Sequence, residues 1–202
     1  MGTSFKKALK GYQVFREKYA HSDASIMQNL SREGQKPKIM VIACCDSRVD
    51  PALILQCDPG DLFVVRNVAN IVPPYEKDEA HHGTSAALEF AISFLNVENL
   101  IILGHSQCGG IQAWLNNDTS TPNDFITNWV SLIKTPNCSL HHADDYAKIA
   151  LQKSHHNCLT FPWINQRVID NKLKIHLWFF DIKSGEIFTY CNEKDSYQPL
   201  NS

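Results

Sequence analysis

Short apolar runs alternate along this chain with longer stretches of helical period. Ile39-Met40-Val41-Ile42-Ala43, Leu62-Phe63-Val64-Val65 and Leu100-Ile101-Ile102-Leu103 are apolar at every position, the pattern of a strand covered on both faces. The turn Asp58-Pro59-Gly60 precedes the second run. Residues 83–95 read as a helix, with Ala86, Ala87, Phe90, Ala91 and Phe94 on one side, and lead straight into the third run. Gly109 and Gly110 open a short helix toward Trp114, and helical stretches follow near 123–133, 143–153 and 161–171. Residues 174–181 and 186–190 predict two strands joined as a hairpin by Lys183-Ser184-Gly185, with a polar, loose tail after Cys191. Ahead of all this, residues 4–19 carry Phe5, Ala8, Leu9, Tyr12, Val14 and Phe15 among lysines, and Gly34 closes a second helix over 25–32.

Strands alternating with helices predict an α/β domain, with a mainly parallel central β-sheet flanked by helices. Residues 35–202 are expected to form that domain. Residues 1–34 are expected to form a helical N-terminal arm, packed on its own domain or lent to a partner subunit. In such sheets ligands bind beyond the carboxyl ends of the strands, where the topology reverses. Cys44 lies just past the first run and His105 just past the third. The crossover between them can bring those strand ends together.

Candidate chemistry gathers at that point. His105 and Cys108 are three residues apart and run into a helix start, so both can face one point, and the helix dipole favours a thiolate at Cys108. Thiolate sulfur with imidazole selects zinc over magnesium or calcium. Structural zinc takes four protein ligands, whereas catalytic zinc keeps one position for water or substrate. Cys44, His105 and Cys108 therefore form a candidate open metal site. Asp46 and Arg48 follow Cys44 at alternate positions and project to the same side, as an ion pair beside the metal. Asp46 either accepts a hydrogen bond from a metal-bound water or swings onto the metal as its fourth ligand.

Composition narrows the classes without naming one. The 202 residues suit one domain with a substantial core, and 44% hydrophobic with 20% charged residues is ordinary for a soluble protein. A net charge of −2 offers no electrostatic footprint for nucleic acid or an anionic membrane, so neither is an expected partner. Seven cysteines without a signal-peptide pattern imply reduced thiols and a cytoplasmic setting.

Three motifs in order, Cys44-Cys45-Asp46-Ser47-Arg48, Val65-Arg66-Asn67-Val68-Ala69-Asn70 and Gly104-His105-Ser106-Gln107-Cys108-Gly109-Gly110, resemble those of the β-class carbonic anhydrases. The resemblance implies one zinc per chain on Cys44, His105 and Cys108, with Asp46 and Arg48 as the catalytic pair. It implies a lyase, a zinc-dependent carbonate dehydratase: zinc hydroxide attacks CO₂, bicarbonate leaves and a proton passes to buffer. It further implies substrate-side roles for Gln35 (a side-chain amide for bicarbonate), Phe63 and Val68 (apolar walls) and Gly109 (backbone at the pocket). The family's pocket tyrosine falls on Phe90, without its hydroxyl. A homodimer or dimer-based oligomer is implied, with the arm wrapping the partner and Gln35 and Phe63 reaching the neighbouring subunit's pocket.

The run Val65 to Tyr75 resembles the plant-like branch, and Val41 and Phe180 stand where the bicarbonate-regulated branch carries a tryptophan and a tyrosine. An open site is expected, with Asp46 held off the metal by Arg48. Two alternatives stay in view: hydrolysis of carbonyl sulfide or carbon disulfide on the same scaffold, and a zinc-stabilised regulatory protein without turnover. Cys45 reads as a small buried filler or an oxidation-sensitive neighbour of the metal. The tandem histidines at 81–82, 141–142 and 155–156 read as solvated surface.

Overall fold

A computed structural model describes residues 2–116, 125–133 and 142–200. Residues 123 and 124 of an expected helix, Cys138 and His141 lie outside the described residues. The arm consists of α1 (Thr3–Tyr19) and α2 (Ile26–Glu33). Ser25 caps α2 by accepting the Gln28 N–H, and Gly34 ends it at φ 75°, a left-handed conformation that glycine adopts without steric cost. The domain then runs β1 (Ile39–Cys44), α3 (Pro51–Ile54), β2 (Leu62–Asn67), α4 (Gly83–Glu89), β3 (Asn99–His105) and α5 (Gly109–Asn116). It continues through α6 (Ile126–Val130), α7 (Ala143–Cys158), α8 (Pro162–Ile169), β4 (Lys174–Phe180), β5 (Ile187–Cys191) and β6 (Ser196–Pro199).

The strands form one sheet in the order β2-β1-β3-β4-β5-β6. The pairs β1–β2, β1–β3 and β3–β4 are parallel, whereas β4–β5 and β5–β6 are antiparallel. From β1 the chain steps outward to β2, then returns past β1 to β3, so the topology reverses between β1 and β3. Burial explains the apolar runs. Met40, Val41, Ile42 and Ala43 are wholly buried, with Met40 and Ile42 in the main core and Val41 and Ala43 in a smaller cluster with Ile101 and Leu103 on the other face. Gly104 lets α7 approach β3: a Cβ there would lie 2.9 Å from Leu151 Cδ1.

Three local expectations need correction. The tail is not loose, because β6 pairs with β5, Tyr190 opposite Tyr197. Tyr197 supplies the reason: its ring packs on Tyr190 and Phe179, with Lys148 Nζ over the Phe179 ring at 4.9 Å. The helix expected over 83–95 changes character at Phe90, where a π-helical turn (Phe90–Phe94) stacks the Phe90 and Phe94 rings 5.7 Å apart. Among the histidine pairs, His155 is half-buried, and His82 is half-buried against Asp78 at 2.6 Å. Among the described residues, no helix is long and apolar enough to cross a membrane.

Cys158 closes α7 wholly buried, and burial pushes its thiol up to about 12. It should therefore resist iodoacetamide at pH 8 until the protein unfolds. Peptide mass mapping checks this, and labelling in the folded protein at the rate of a free thiol would contradict the packing.

Candidate active site

Cys44 ends β1 and His105 ends β3. Because Ala43 lies opposite Leu103 in the parallel register, the residues that follow leave the sheet nearly level. Cys108 sits one residue before α5. The ligand atoms of Cys44, His105 and Cys108 lie within 4.8 Å of one another, with all three residues buried. The two sulfurs are 3.9 Å apart.

His105 Nδ1 lies 2.9 Å from the Ser106 carbonyl oxygen. That oxygen can only accept, so Nδ1 carries the proton and Nε2 presents a lone pair. Nε2 is buried with no hydrogen-bond partner among the described residues. A buried acceptor left unpaired costs about 1–3 kcal/mol, and a metal ion beside the two sulfurs would use that lone pair. The group thus fits a metal, and its sulfur and imidazole donors suit zinc. In the protein alone, a hydrogen bond from Cys108 pulls Cys44 down to about 4, while the same bond and burial push Cys108 well above the ordinary thiol range.

The Asp46–Arg48 pair is a fork. Arg48 donates through Nε to Asp46 Oδ1 at 2.9 Å and through Nη2 to Oδ2 at 2.7 Å, and its backbone N–H also reaches Oδ1 at 2.9 Å. The Arg48 hydrogen bond holds the Asp46 carboxyl well below the usual carboxylate range. Arg48 Nη2 also donates to the Gln107 carbonyl at 3.2 Å, which ties the Cys44 loop to the His105–Cys108 loop.

Arg66 builds the first of those loops from beneath. It donates to the Cys44 carbonyl at 2.9 Å, the Asp46 carbonyl at 2.7 Å and the Asp50 carboxylate at 2.8 Å. Asp50 also caps α3, accepting from Ala52 and Leu53 N–H. The signal for Arg66 was present as a cation ending an apolar strand near an acid-capped turn, but its structural use was missed. Gly110 was missed too: a Cβ there would lie 2.7 Å from Val68 Cγ1 and 2.9 Å from Ala69 Cβ. Gly109, by contrast, has open space on its Cβ side.

A mostly apolar cavity of about 660 Å³ adjoins this corner, lined by Cys45, Asn67, Val68, Ile126 and Trp129 among others. Trp129 Nε1 donates to the Val68 carbonyl at 2.7 Å and so fixes that wall. Cys45 is exposed, not buried: its N–H pairs with the Asn67 carbonyl at 3.0 Å, and strand alternation turns its side chain opposite to Cys44, toward the cavity. Gln35, Phe63 and Phe90 do not line it. Gln35 is exposed between α2 and β1, and Phe63 meets Phe90 at 5.9 Å between ring centroids. Phe63 stands four residues before Asn67 on β2, about 13 Å along the strand.

The family profile described as carbonic anhydrase matches residues 39–187. β-Carbonic anhydrase 5, chloroplastic, of Arabidopsis thaliana is 38% identical over 181 residues, which is 84% of this chain and 59% of that protein. This chain belongs to the β-carbonic anhydrases. Carbonic anhydrase is the function this membership supports. β-Carbonic anhydrase 3 of the same plant is 37% identical, over 87% of this chain and 72% of its own length. The carbonic anhydrase of Helicobacter pylori is 31% identical, over 96% and 94%. Among solved structures, the β-carbonic anhydrase CcaA superposes with a TM-score of 0.87 at 33% identity, covering 100% of this chain and 94% of that one. Neither the sulfur-analogue hydrolase nor the regulatory reading is favoured by these relatives.

Replacing Arg66 with alanine should lower the unfolding free energy by about 2 kcal/mol, since two carbonyls and a carboxylate lose their donor. Urea denaturation of the purified variant checks this, and an unchanged midpoint would refute the clamp.

Proposed function

We propose that carbonic anhydrase activity in this chain depends on one zinc ion held by Cys44, His105 and Cys108, with Asp46 and Arg48 as the catalytic pair. The orphaned His105 Nε2, buried beside two sulfurs, is the observation that carries this reading. Zinc, when bound, supplies a Lewis acid that lowers the pKa of water and makes a nucleophile available near neutral pH. Cys44 and Cys108 would bind as thiolates whose two charges offset the metal's, so neighbouring groups must do more of the orienting.

Asp46 suits that task. Its Oδ1 already accepts two N–H groups, whereas Oδ2 accepts one and keeps a lone pair free. Oδ2 is therefore the oxygen that would accept a hydrogen bond from the reacting water, orienting an oxygen lone pair toward CO₂ while the carboxylate itself stays ionised. Arg48 holds the carboxylate ionised and engages both oxygens, which supports the open state with Asp46 kept off the metal. In the reverse direction the same Oδ2 selects the protonated oxygen of bicarbonate. Val68 would give CO₂ an apolar wall, and Gly109 would present backbone to the pocket.

The reading includes a homodimer or dimer-based oligomer with residues 1–34 as its wrapping arm. No residue of α1 is buried, and Phe5, Leu9, Tyr12, Val14 and Phe15 are exposed along it. Gln35 and Phe63, absent from their own chain's cavity, would serve the partner's pocket, and Phe90 would stand there as an apolar neighbour. β-Carbonic anhydrases of Sordaria macrospora, matching at a TM-score of 0.79 and 28% identity, are described as tetrameric. A cytoplasmic setting belongs to the proposal, supported by the free state of all six described cysteines.

Zinc content and stopped-flow CO₂ hydration test the site. The wild type should carry one zinc per chain and hydrate CO₂, and Asp46→Asn should keep its zinc while losing about a hundredfold or more in kcat. Zinc-loaded wild type without hydration, or full activity in Asp46→Asn, would sink the assignment. Deleting residues 2–24 should convert the assembly to smaller species in sedimentation velocity, and an unchanged sedimentation coefficient would exclude the arm from the interface.

A further inference from the structure

The loop between His105 and Cys108 has two residues, and each is held differently. Ser106 is anchored to the β4–β5 corner: its N–H donates to the Phe180 carbonyl, its Oγ donates to Asp181 Oδ1 at 3.1 Å, and its Oγ accepts the Ile182 N–H at 2.9 Å. Gln107 adopts φ 56°, a left-handed conformation that a residue with a Cβ avoids unless it is held there. Its N–H donates to Asp144 Oδ1 at 2.8 Å, in the first turn of α7. Its carbonyl accepts from Arg48 Nη2 at 3.2 Å. Among the described residues, that carbonyl is the one anchor of the Arg48 side chain outside Asp46 itself.

We propose that Asp144 is a positioning residue for the Asp46–Arg48 pair, acting through the backbone of Gln107. The carboxylate makes a charge-assisted bond to the Gln107 N–H and fixes that residue's left-handed turn. The turn aims the Gln107 carbonyl at Arg48, and Arg48 aims Asp46. Releasing the N–H lets Gln107 relax toward ordinary backbone, which withdraws the carbonyl and frees the arginine fork to rotate. The His105–Cys108 spacing is held at the same point, so Asp144 supports both loops of the site from an element that contributes no ligand. The proposal rests on the carbonic anhydrase reading for its kinetic consequence and stands on hydrogen bonding for the rest.

The test uses the zinc-loaded full-length protein with Asp144→Ala, Asp144→Asn and Asp144→Ser. Asparagine keeps an oxygen at the right reach, whereas serine keeps a polar helix start but is too short, and it replaces alanine if that variant does not fold. Asp144→Ala should retain its zinc and lose about tenfold in kcat, with KM within about twofold of the wild type. In ¹⁵N spectra the Gln107 amide should move and exchange faster, and the Arg48 Nε–H signal should shift. Asp144→Asn should restore most of both. Wild-type kcat in Asp144→Ala or Asp144→Ser, an unmoved Gln107 amide, or Asp144→Asn as impaired as alanine would each overturn the proposal. If the wild type does not hydrate CO₂, the carbonic anhydrase reading fails, and the Gln107 and Arg48 signals still decide whether Asp144 positions the pair.

Discussion

The parallel register of β1 against β3, which sets Ala43 opposite Leu103, governs every distance in the site. A slip of one residue would turn Cys44 to the other face and bury a different set of side chains. That slip is resisted by packing: Met40 and Ile42 enter one core, Val41 and Ala43 another, and a slip would exchange the two sets. Hydrophobic burial thus brings two of the candidate metal ligands, Cys44 and His105, together without any ligand's help. The reversal between β1 and β3 puts the corner at the place where open α/β sheets bind ligands.

What burial cannot do is orient polar groups at the strand ends, and here arginine takes over. Arg66 fixes the backbone under Cys44 and Asp46, and Arg48 fixes the Asp46 carboxylate above it. The two differ in the kind of order they impose. Arg66 ties down carbonyls, so it shapes the loop, whereas Arg48 ties down a carboxylate, so it selects which oxygen remains free to accept. A lysine would offer one compact charge in either place and could match neither fork.

The sheet and the grouping of Cys44, His105 and Cys108 were legible because each has a signature that survives in one dimension. Continuous apolar runs mark strands covered on both faces, and the Cys44 and His105–Cys108 motifs sit where those runs stop. Strand β6 was illegible because it is an edge strand whose one inward anchor, Tyr197, is surrounded by polar residues. The π-turn at Phe90–Phe94 was hidden because one extra residue per turn barely alters an apolar pattern over so short a span. The short α3 went unread, although Asp50 as cap and Pro51 in the first turn carried its signal. Asp144 could not be read at all. It acts on a backbone N–H, and every residue but proline has one.

The same distinction bears on the residues proposed for the substrate side. Val68 is local to the metal group, since it follows Asn67, the register partner of Cys44. Phe63 lies about 13 Å back along that strand, a separation no side-chain rotamer spans. Its motif position is therefore meaningful only if the strand is read twice, once as a wall of its own sheet and once as a face offered outward. The exposed stacking of Phe90 on Phe94, next to Phe63, gives that outward face an apolar surface continuous with the sheet edge. A pocket assembled across such a face would couple catalysis to association: the Cys44, His105 and Cys108 group is complete in one chain, whereas Phe63 and Phe90 would reach a pocket only across that face.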